Sequence, residues 1–507
     1  GRCRVWLRRS FDREDGKGYK DPAQSFPRLS WCAMDERGAG NVAACLPLHI
    51  SSPGNMSKVP FILLVNPWIT DFAAHDLWAK PMGLLLLGAL LKDGGCGVAF
   101  IDCLDRHDSF TNRQPGVLPS KPGEFGTGKY SKMRMDKPEA FAGVPRRYYR
   151  HGIHPESFTG QLRALPRPDL VWVTSAMTYW YPGVVETIAV LKEAFPDVPV
   201  WLGGIYARLC SSHAAQKSGA DEIVTCPTAF LPQRIEAATG FRLKNARRWS
   251  RFEAWPGPAL ELLPRLDYAP LLTGLGCPYR CPYCASAVLN PECARRGAES
   301  VYQEITALCE GGMIRDFAFY DDALLLHAET NLKPVLCRLV KEERPIRFHT
   351  PNALHVRALD TEWCALLRAA GFTTIRLGLE TTREDRQKEW GGKVETQMFV
   401  RAVDNLLSAG FPAGRIGAYL LCGVPGQRPE DVADSILLVK RLGIRPHLAE
   451  YSPVPGTLMW REAVAGSAFD IENEPLYHNN TFFACRRTDF TWEDLRHLKD
   501  LALGRVP

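Results

Sequence analysis

A chain of 507 residues has room for two or three domains with sizeable cores, and 46% hydrophobic against 23% charged residues is the balance of a soluble globular protein. The net charge of +6 is small for this length; it favours an anionic ligand over a cationic one but gives no argument for nucleic acid. The longest apolar stretch, Gly83 to Leu91, falls far short of a membrane span, which excludes a spanning helix.

Residues 1–57 carry Gly, Pro and scattered charge without periodicity. We expect a poorly ordered segment there, with Met56 as the natural start, and a cytoplasmic protein, because no apolar signal-peptide core is present. Most of the sixteen cysteines are then reduced.

From Val59 the pattern changes. Phe61-Ile-Leu-Leu-Val65 reads as a buried parallel strand broken by Asn66-Pro67, Pro81 to Leu91 as a helix stopped by Gly94-Gly95, and Gly97 to Asp102 as a second strand. This βαβ unit opens a doubly wound sheet, predicted over residues 58–229. Strands follow at 169–175, 198–204 and 220–225. The long connection from Arg106 to Pro155 is expected to be functional or mobile. Ligands of open parallel sheets sit at strand ends, which selects the loops after Val65, Ser175 and Gly204. Residues 230–268 read as a linker, with the basic run Lys244 to Trp249 as a solvated face.

At Leu271 an apolar run empties into Cys277, Cys281 and Cys284, spaced C-x3-C-x2-C. Three thiolates in one tight loop suit an iron-sulfur cluster, and on a four-iron cubane they leave one iron open. A zinc site would need a fourth ligand, the nearest thiol being Cys293; a disulfide knot lacks any secretory context.

After the loop, strands and helices alternate regularly, with strands near 271–275, 316–320, 347–350, 374–379, 415–421 and 446–451. This predicts a parallel β/α barrel over 269–460 with its chemistry at the carboxyl ends. Tyr320-Asp321-Asp322 ends the second strand, where an acidic pair suits an ammonium and Asp322 alternatively caps a helix. Asn352 follows the third. Glu380 ends the fourth, as a ligand or as a salt-bridged acid. Leu421 and Gly423 end the fifth, where glycine permits close backbone approach. Residues 461–507 form an unassigned tail in which Cys485 is either packed or near the site.

The three cysteines, with Tyr283 just before the last, resemble the signature of the radical S-adenosylmethionine (radical SAM) superfamily. The resemblance implies a 4Fe-4S cluster whose free iron chelates SAM and, once reduced, cleaves it to a 5'-deoxyadenosyl radical. It further implies SAM contacts from Tyr283, Tyr320, Asp321, Asp322, Asn352, Glu380, Leu421 and Gly423, and an external electron donor such as flavodoxin or ferredoxin. The Rossmann-like domain ahead of a (β/α)6 barrel resembles the cobalamin-binding subgroup. Cobalamin would then meet Asn66, Pro67, Pro81, Gly83, Thr174, Ser175, Tyr179, Gly203 and Gly204. The loop Asp71 to Asp76 departs from the Asp-x-His-x-x-Gly pattern of lower cobalt ligands, so His75 is read as a loop histidine. The subgroup implies methylation of an unactivated carbon or phosphorus, with cyclisation or rearrangement, or a zinc-bearing non-enzymatic module, as alternatives. The substrate, small molecule or peptide, is not legible; Tyr179-Trp180-Tyr181 and the basic Lys121 to Arg150 segment suit a planar or anionic one, or an interdomain contact.

Overall fold

A computed structural model describes residues 58–310 and 314–506; the expectations for residues 1–57 lie outside the described residues. The front sheet holds five parallel strands, β1 (Phe61–Asn66), β2 (Gly97–Asp102), β3 (Leu170–Val173), β4 (Val200–Leu202) and β5 (Glu222–Ile223). They lie in the order β2-β1-β3-β4-β5. The period-two geometry of a strand explains the unbroken apolar run of β1. Ile62 and Leu64 face one core, with Leu84, Leu87 and Leu91 of helix α1 (Met82–Asp93). Leu63 and Val65 face the other, with Val184, Ile188 and Leu191 of helix α2 (Tyr181–Ala194). Each such leucine or valine contributes roughly 1.5–3 kcal/mol of burial.

The long connection is ordered. Tyr148–His151 pairs with Ile69–Asp71 and Lys132–Met135, and Gly128–Lys129 with His75–Asp76 and Lys121–Pro122. His75 lies exposed on one of these short strands. Arg106, buried, ties the insertion together, its guanidinium bonding Asp76 at 3.2 Å and Asp267 at 2.9 Å. Residues 230–268 also contribute core: Trp249, with Leu231, Ile235 and Phe241, closes one face of the front sheet.

Six further parallel strands follow in chain order, β6 (Ala269–Leu271), β7 (Asp316–Phe319), β8 (Arg347–His349), β9 (Phe372–Glu380), β10 (Ile416–Cys422) and β11 (Arg445–Glu450). Their outward residues, among them Phe317, Phe348, Leu377 and Ala418, pack on Leu332, Phe399 and Ile436 of the surrounding helices. The inner face is left as a lumen. Its amino-terminal end is plugged by Phe125 of the insertion and by Trp78 before α1: the Trp78 ring stacks on His349 at 4.8 Å between centroids, and that of Phe125 lies tilted against it at 4.7 Å.

The first barrel strand is shorter than the apolar run suggested. Thr273 leaves the sheet because its N–H and hydroxyl both donate to Asp321, at 3.0 and 2.7 Å, and Gly274–Leu275 then pairs antiparallel with Ala294–Arg295. The cysteine loop is thus closed at its base by a two-stranded ribbon. The tail is structured as well: Leu476, Phe482 and Cys485 join Phe72, Phe141 and Tyr148 of the front domain and Leu421 and Tyr451 of the barrel in one cluster. Cys485 is a packed thiol within it, pushed up to about 12 by burial.

Candidate active site

The three cysteines occupy one turn at the carboxyl mouth of the barrel. The Cys284 N–H donates to the Cys281 carbonyl at 3.0 Å, and the Ser286 N–H donates to the Cys284 sulfur at 3.5 Å. The Met459 N–H reaches the Pro282 carbonyl at 2.8 Å, anchoring the loop to the segment after β11. Cys281 is buried, Cys277 half-buried and Cys284 exposed. Burial pushes the Cys277 and Cys281 thiols up, and the Lys393 ammonium pulls both the other way. Burial opposes the Lys393 charge, but Glu380 and the cysteines hold its pKa above the usual value.

That donor set fits an iron-sulfur cluster. A buried cation beside three sulfurs stabilises the thiolate form that ligation requires. Among the described residues no three His, Cys, Asp or Glu side chains are drawn to the spacing of a single metal ion. A cubane, whose thiolates bind different irons, calls for a wider triangle than one ion does.

Glu380 ends β9 in a left-handed conformation, φ 66°, at a β-bulge against β10. Its carboxylate lies 3.9 Å from Lys393 Nζ and bonds the Tyr283 hydroxyl, which also bonds Cys281. Burial raises the Glu380 carboxyl. Of the other residues expected around SAM, Asp321 is buried on Thr273, with Arg295 Nη1 at 3.4 Å, and burial raises its carboxyl to about 6. Asp322 accepts from Asn290 Nδ2 at 3.5 Å. Asn352 Nδ2 donates to the carbonyls of Tyr320 and Asp321, both at 3.1 Å, fixing the end of β7. The Tyr320 hydroxyl turns to the front domain, accepting from the Lys80 N–H at 2.8 Å. After β10, the Gly423 N–H donates to Gln427 Oε1 at 2.7 Å while Gln427 Nε2 donates to the Leu421 carbonyl at 3.0 Å. Gly423 has φ 86°, and a Cβ there would meet the Phe483 ring at 2.5 Å. Lys393 escaped the sequence reading because it belongs to no motif, the Gly391-Gly392 pair before it being a local signal of a bent backbone; Gln427 lies within the segment after the fifth strand but was not singled out, because its bonds to Gly423 and Leu421 depend on the fold of the turn.

At the front sheet the strand order reverses between β1 and β3, the position where open α/β sheets bind ligands. Asn66 Nδ2 donates to Asp102 at 2.7 Å, joining the ends of β1 and β2. The Ser175 hydroxyl donates to the Gly203 carbonyl at 2.6 Å and accepts from the Ala207 N–H at 3.3 Å, joining the loops after β3 and β4. Gly204, φ 92°, is required there: a Cβ would lie 2.2 Å from the Ser175 carbonyl oxygen. Around Gly83 nothing stands within 4 Å of a Cβ position, so that side of the edge is open, with Pro81 at the start of α1. Tyr179 is buried. Three large apolar side chains on the loops of this edge are exposed, Met177 (46%), Ile205 (36%) and Phe230 (55%), as is Val288 (41%) after the cysteine loop. Arg208 Nη2 meets the Leu289 carbonyl at 2.5 Å, so the loop after β4 touches the segment that follows the cysteines. An apolar, partly open edge of this kind fits a large planar cofactor such as a corrin.

A cysteine loop on a six-stranded β/α mouth defines a class, and the chain carries a radical SAM domain: residues 271–439 match the radical SAM superfamily. Over 224 residues it is 25% identical to an uncharacterized methyltransferase of Pyrococcus horikoshii, covering 42% of this chain and 47% of the relative, so the chain spans about half of the curated relative's length. Two solved structures are similar over most of this chain. The radical SAM methyltransferase TsrM from Kitasatospora setae, with cobalamin and a [4Fe-4S] cluster bound, is similar at TM-score 0.62 and 18% identity, over 88% of this chain and 91% of that one. The cobalamin-dependent radical SAM enzyme OxsB, with aqua-cobalamin and SAM bound, is similar at TM-score 0.52 and 11% identity, over 89% of this chain and 62% of that one. At these identities the likeness establishes a shared fold. Among the described residues no helix is long and apolar enough to cross a membrane.

Proposed function

We propose that this chain is a cobalamin-dependent radical SAM enzyme that methylates an unactivated carbon or phosphorus of a small molecule or peptide. The observation that carries the reading is the junction itself. The ligand edge of a β2-β1-β3-β4-β5 sheet touches, through Arg208 and Leu289, the segment following the three cysteines at a barrel mouth. Cys277, Cys281 and Cys284 would hold the cluster; Tyr283, Glu380, Asp322, Asn352, Leu421 and Gly423 border the space for SAM, and Tyr320 and Asp321 shape it from behind. Asn66, Pro67, Thr174, Ser175, Gly203 and Gly204 build the edge for cobalamin, with Pro81, Gly83 and Tyr179 beside it. The cofactors supply reductive SAM cleavage and methyl carriage.

The chain's own residues do the rest. Lys393 and Tyr283 steady charge at the sulfurs and Glu380, and the tail cluster around Leu421 and Tyr451 keeps water from one flank of the mouth. A one-electron donor such as flavodoxin or ferredoxin would serve the exposed Cys284 side, in the cytoplasm. Anaerobic reconstitution with iron, sulfide, hydroxocobalamin and SAM tests the proposal. The expected result is about four irons per chain, retained cobalamin, and label from methyl-labelled SAM in a metabolite of the native cell. Iron without retained cobalamin would reduce the reading to a radical SAM enzyme alone, and a chain that binds no iron would end it.

A further inference from the structure

The barrel lumen contains a cation that, among the described residues, no carboxylate neutralises. On β9 the buried Ile375, Leu377 and Leu379 face the helices, so the alternate residues Thr374, Arg376, Gly378 and Glu380 face inward. The same alternation turns Gly417 and Tyr419 of β10, and His447 of β11, into the lumen. Register places Arg376 beside Gly417 and Tyr419 beside His447. The missing side chain of Gly417 makes the space they share: a Cβ there would lie 2.5 Å from the His447 ring and 3.2 Å from Arg376 Cδ.

Arg376 bonds the Ile375 carbonyl at 3.1 Å and the Tyr419 hydroxyl, and among the described residues no carboxylate pairs with it; its charged neighbours are Arg415 and Arg445. Burial, with the Arg376 and Arg445 cations, lowers the His447 pKa to about 4. Its Nε2 is enclosed and, among the described residues, has no hydrogen-bond partner. The nearest lumen carboxylates are engaged. Asp316 is held by Arg347 at 2.5 Å and His349 at 2.9 Å, one layer below, and Glu380 by Lys393 above. Both flanks of β9 and β10 are hydrogen-bonded and their outer faces covered, yet Arg376, Tyr419 and His447 keep partial exposure. That exposure opens inward.

A desolvated guanidinium without a counter-charge is costly unless a ligand supplies one. We propose that Arg376, Tyr419 and His447 form the substrate's anion site, so that the molecule acted on is an organic anion whose carboxylate or phosphate group enters the lumen first. The planar fork of Arg376 suits either group in two-point contact, while the Tyr419 hydroxyl, which accepts from Arg376 and donates to the Pro351 carbonyl at 2.8 Å, holds the guanidinium in place and the His447 ring walls the site. The site lies four residues, about 13 Å along the strand, below Glu380, which leaves the remainder of the substrate between it and the cysteine loop. The inference rests on the proposed function for its reaction but not for its ligand class.

The test is anaerobic calorimetry on the reconstituted full chain with hippurate, its neutral amide hippuramide, and phenyl phosphate. Hippurate, phenyl phosphate or both bind, and hippuramide binds at least tenfold more weakly; whichever anion binds better tells carboxylate from phosphate. Arg376→Met weakens the anion at least tenfold and Arg376→Lys less, while His447→Phe and Gly417→Val, which spare the arginine, also weaken it. Equal binding of acid and amide, no binding of either anion at millimolar concentration, or anion affinity unchanged in these variants overturns the proposal. Iron, cobalamin and SAM cleavage are measured on the same preparations. Loss of those with anion binding intact sinks the cofactor reading alone; intact cofactors without anion binding sink this one.

Discussion

Asp71 is the narrowest point in the joint between the front domain and the tail, and its removal has a calculable effect. The carboxylate is buried and accepts from Trp180 Nε1 at 2.7 Å, Asn479 Nδ2 at 3.0 Å and its neighbouring Phe72 N–H at 2.6 Å. In Asp71→Ala the two side-chain donors face a dry gap, each costing about 1–3 kcal/mol. Part of this is returned because the carboxylate is itself held at a desolvation cost: burial raises its pKa, against the opposing bonds from Trp180 and Asn479. A net local loss of about 2–4 kcal/mol follows, equivalent to roughly 30- to 900-fold in opening equilibrium. Hydrogen exchange reads it directly, at the Phe482 and Phe483 amides, which donate to the Asn479 and Asn480 carbonyls. Their protection should fall by that factor in the variant while amides of β1 keep theirs. Asp71→Asn should fall between, since an amide can accept only through one oxygen. If Asp71→Ala folds and leaves protection at Phe482 and Phe483 unchanged, the joint is not carried by this carboxylate.

Replacing Cys277, Cys281 or Cys284 by Ser should each remove most of the iron from anaerobically reconstituted protein, whereas Cys293→Ser, exposed beyond the loop, should retain it; equal loss from all four would point to a different ligand set. Gly204→Ala should weaken cobalamin retention at least tenfold, read from the corrin absorbance after gel filtration, because the new Cβ would sit 2.2 Å from the Ser175 carbonyl in a backbone conformation unfavourable to alanine. The Asp321 carboxyl, raised to about 6 by burial, is above its unfolded value, so between about pH 4 and 6 the native state binds the extra proton and its stability falls as pH rises. Asp321→Asn should therefore gain about 2–3 kcal/mol relative to the parent on going from pH 4 to 7, measured by urea denaturation; a pH-independent difference would show that the carboxyl is not so shifted.

The elements that periodicity reveals were legible. The apolar run of β1 and the stops at Gly94-Gly95 fix the first βαβ unit, and all six barrel strands lie within a few residues of where alternation put them. The cysteine spacing located the loop because thiolate ligation demands residue type and proximity together. What periodicity could not reach was pairing between distant, irregular segments. The Arg106 to Pro155 connection reads as loose because its strands are two to four residues long, and its order comes from Arg106 reaching Asp76 and Asp267. Asn479 and Asp71 are 408 positions apart, and no local pattern announces either. The acidic pair after β7 shows the same limit from the other side: sequence gave its location, while the direction of each carboxylate depended on Thr273 and Asn290.

These distant contacts determine how the two halves can act together. Asp76, on the short strand that pairs with Gly128–Lys129 of the insertion, accepts from the Tyr268 hydroxyl at 2.7 Å just before β6 and from Arg106 at 3.2 Å, and the Lys80 N–H just before α1 donates to Tyr320 at the end of β7. The segment leading into the open edge at Gly83 is therefore bonded to the barrel strand adjoining β6. On the far side, the Thr178 hydroxyl bonds His478 at 2.9 Å and the Ser452 hydroxyl donates to the His478 carbonyl at 2.5 Å, so the loop after β3 is coupled through the tail to the loop after β11. Two separate tethers across the junction resist hinge opening, because rotation about either one would break the other's hydrogen bonds. Entry of a substrate then has to occur by local movement of exposed loops at the mouth, where Met177, Phe230 and Leu458 are least covered, and not by separation of the domains.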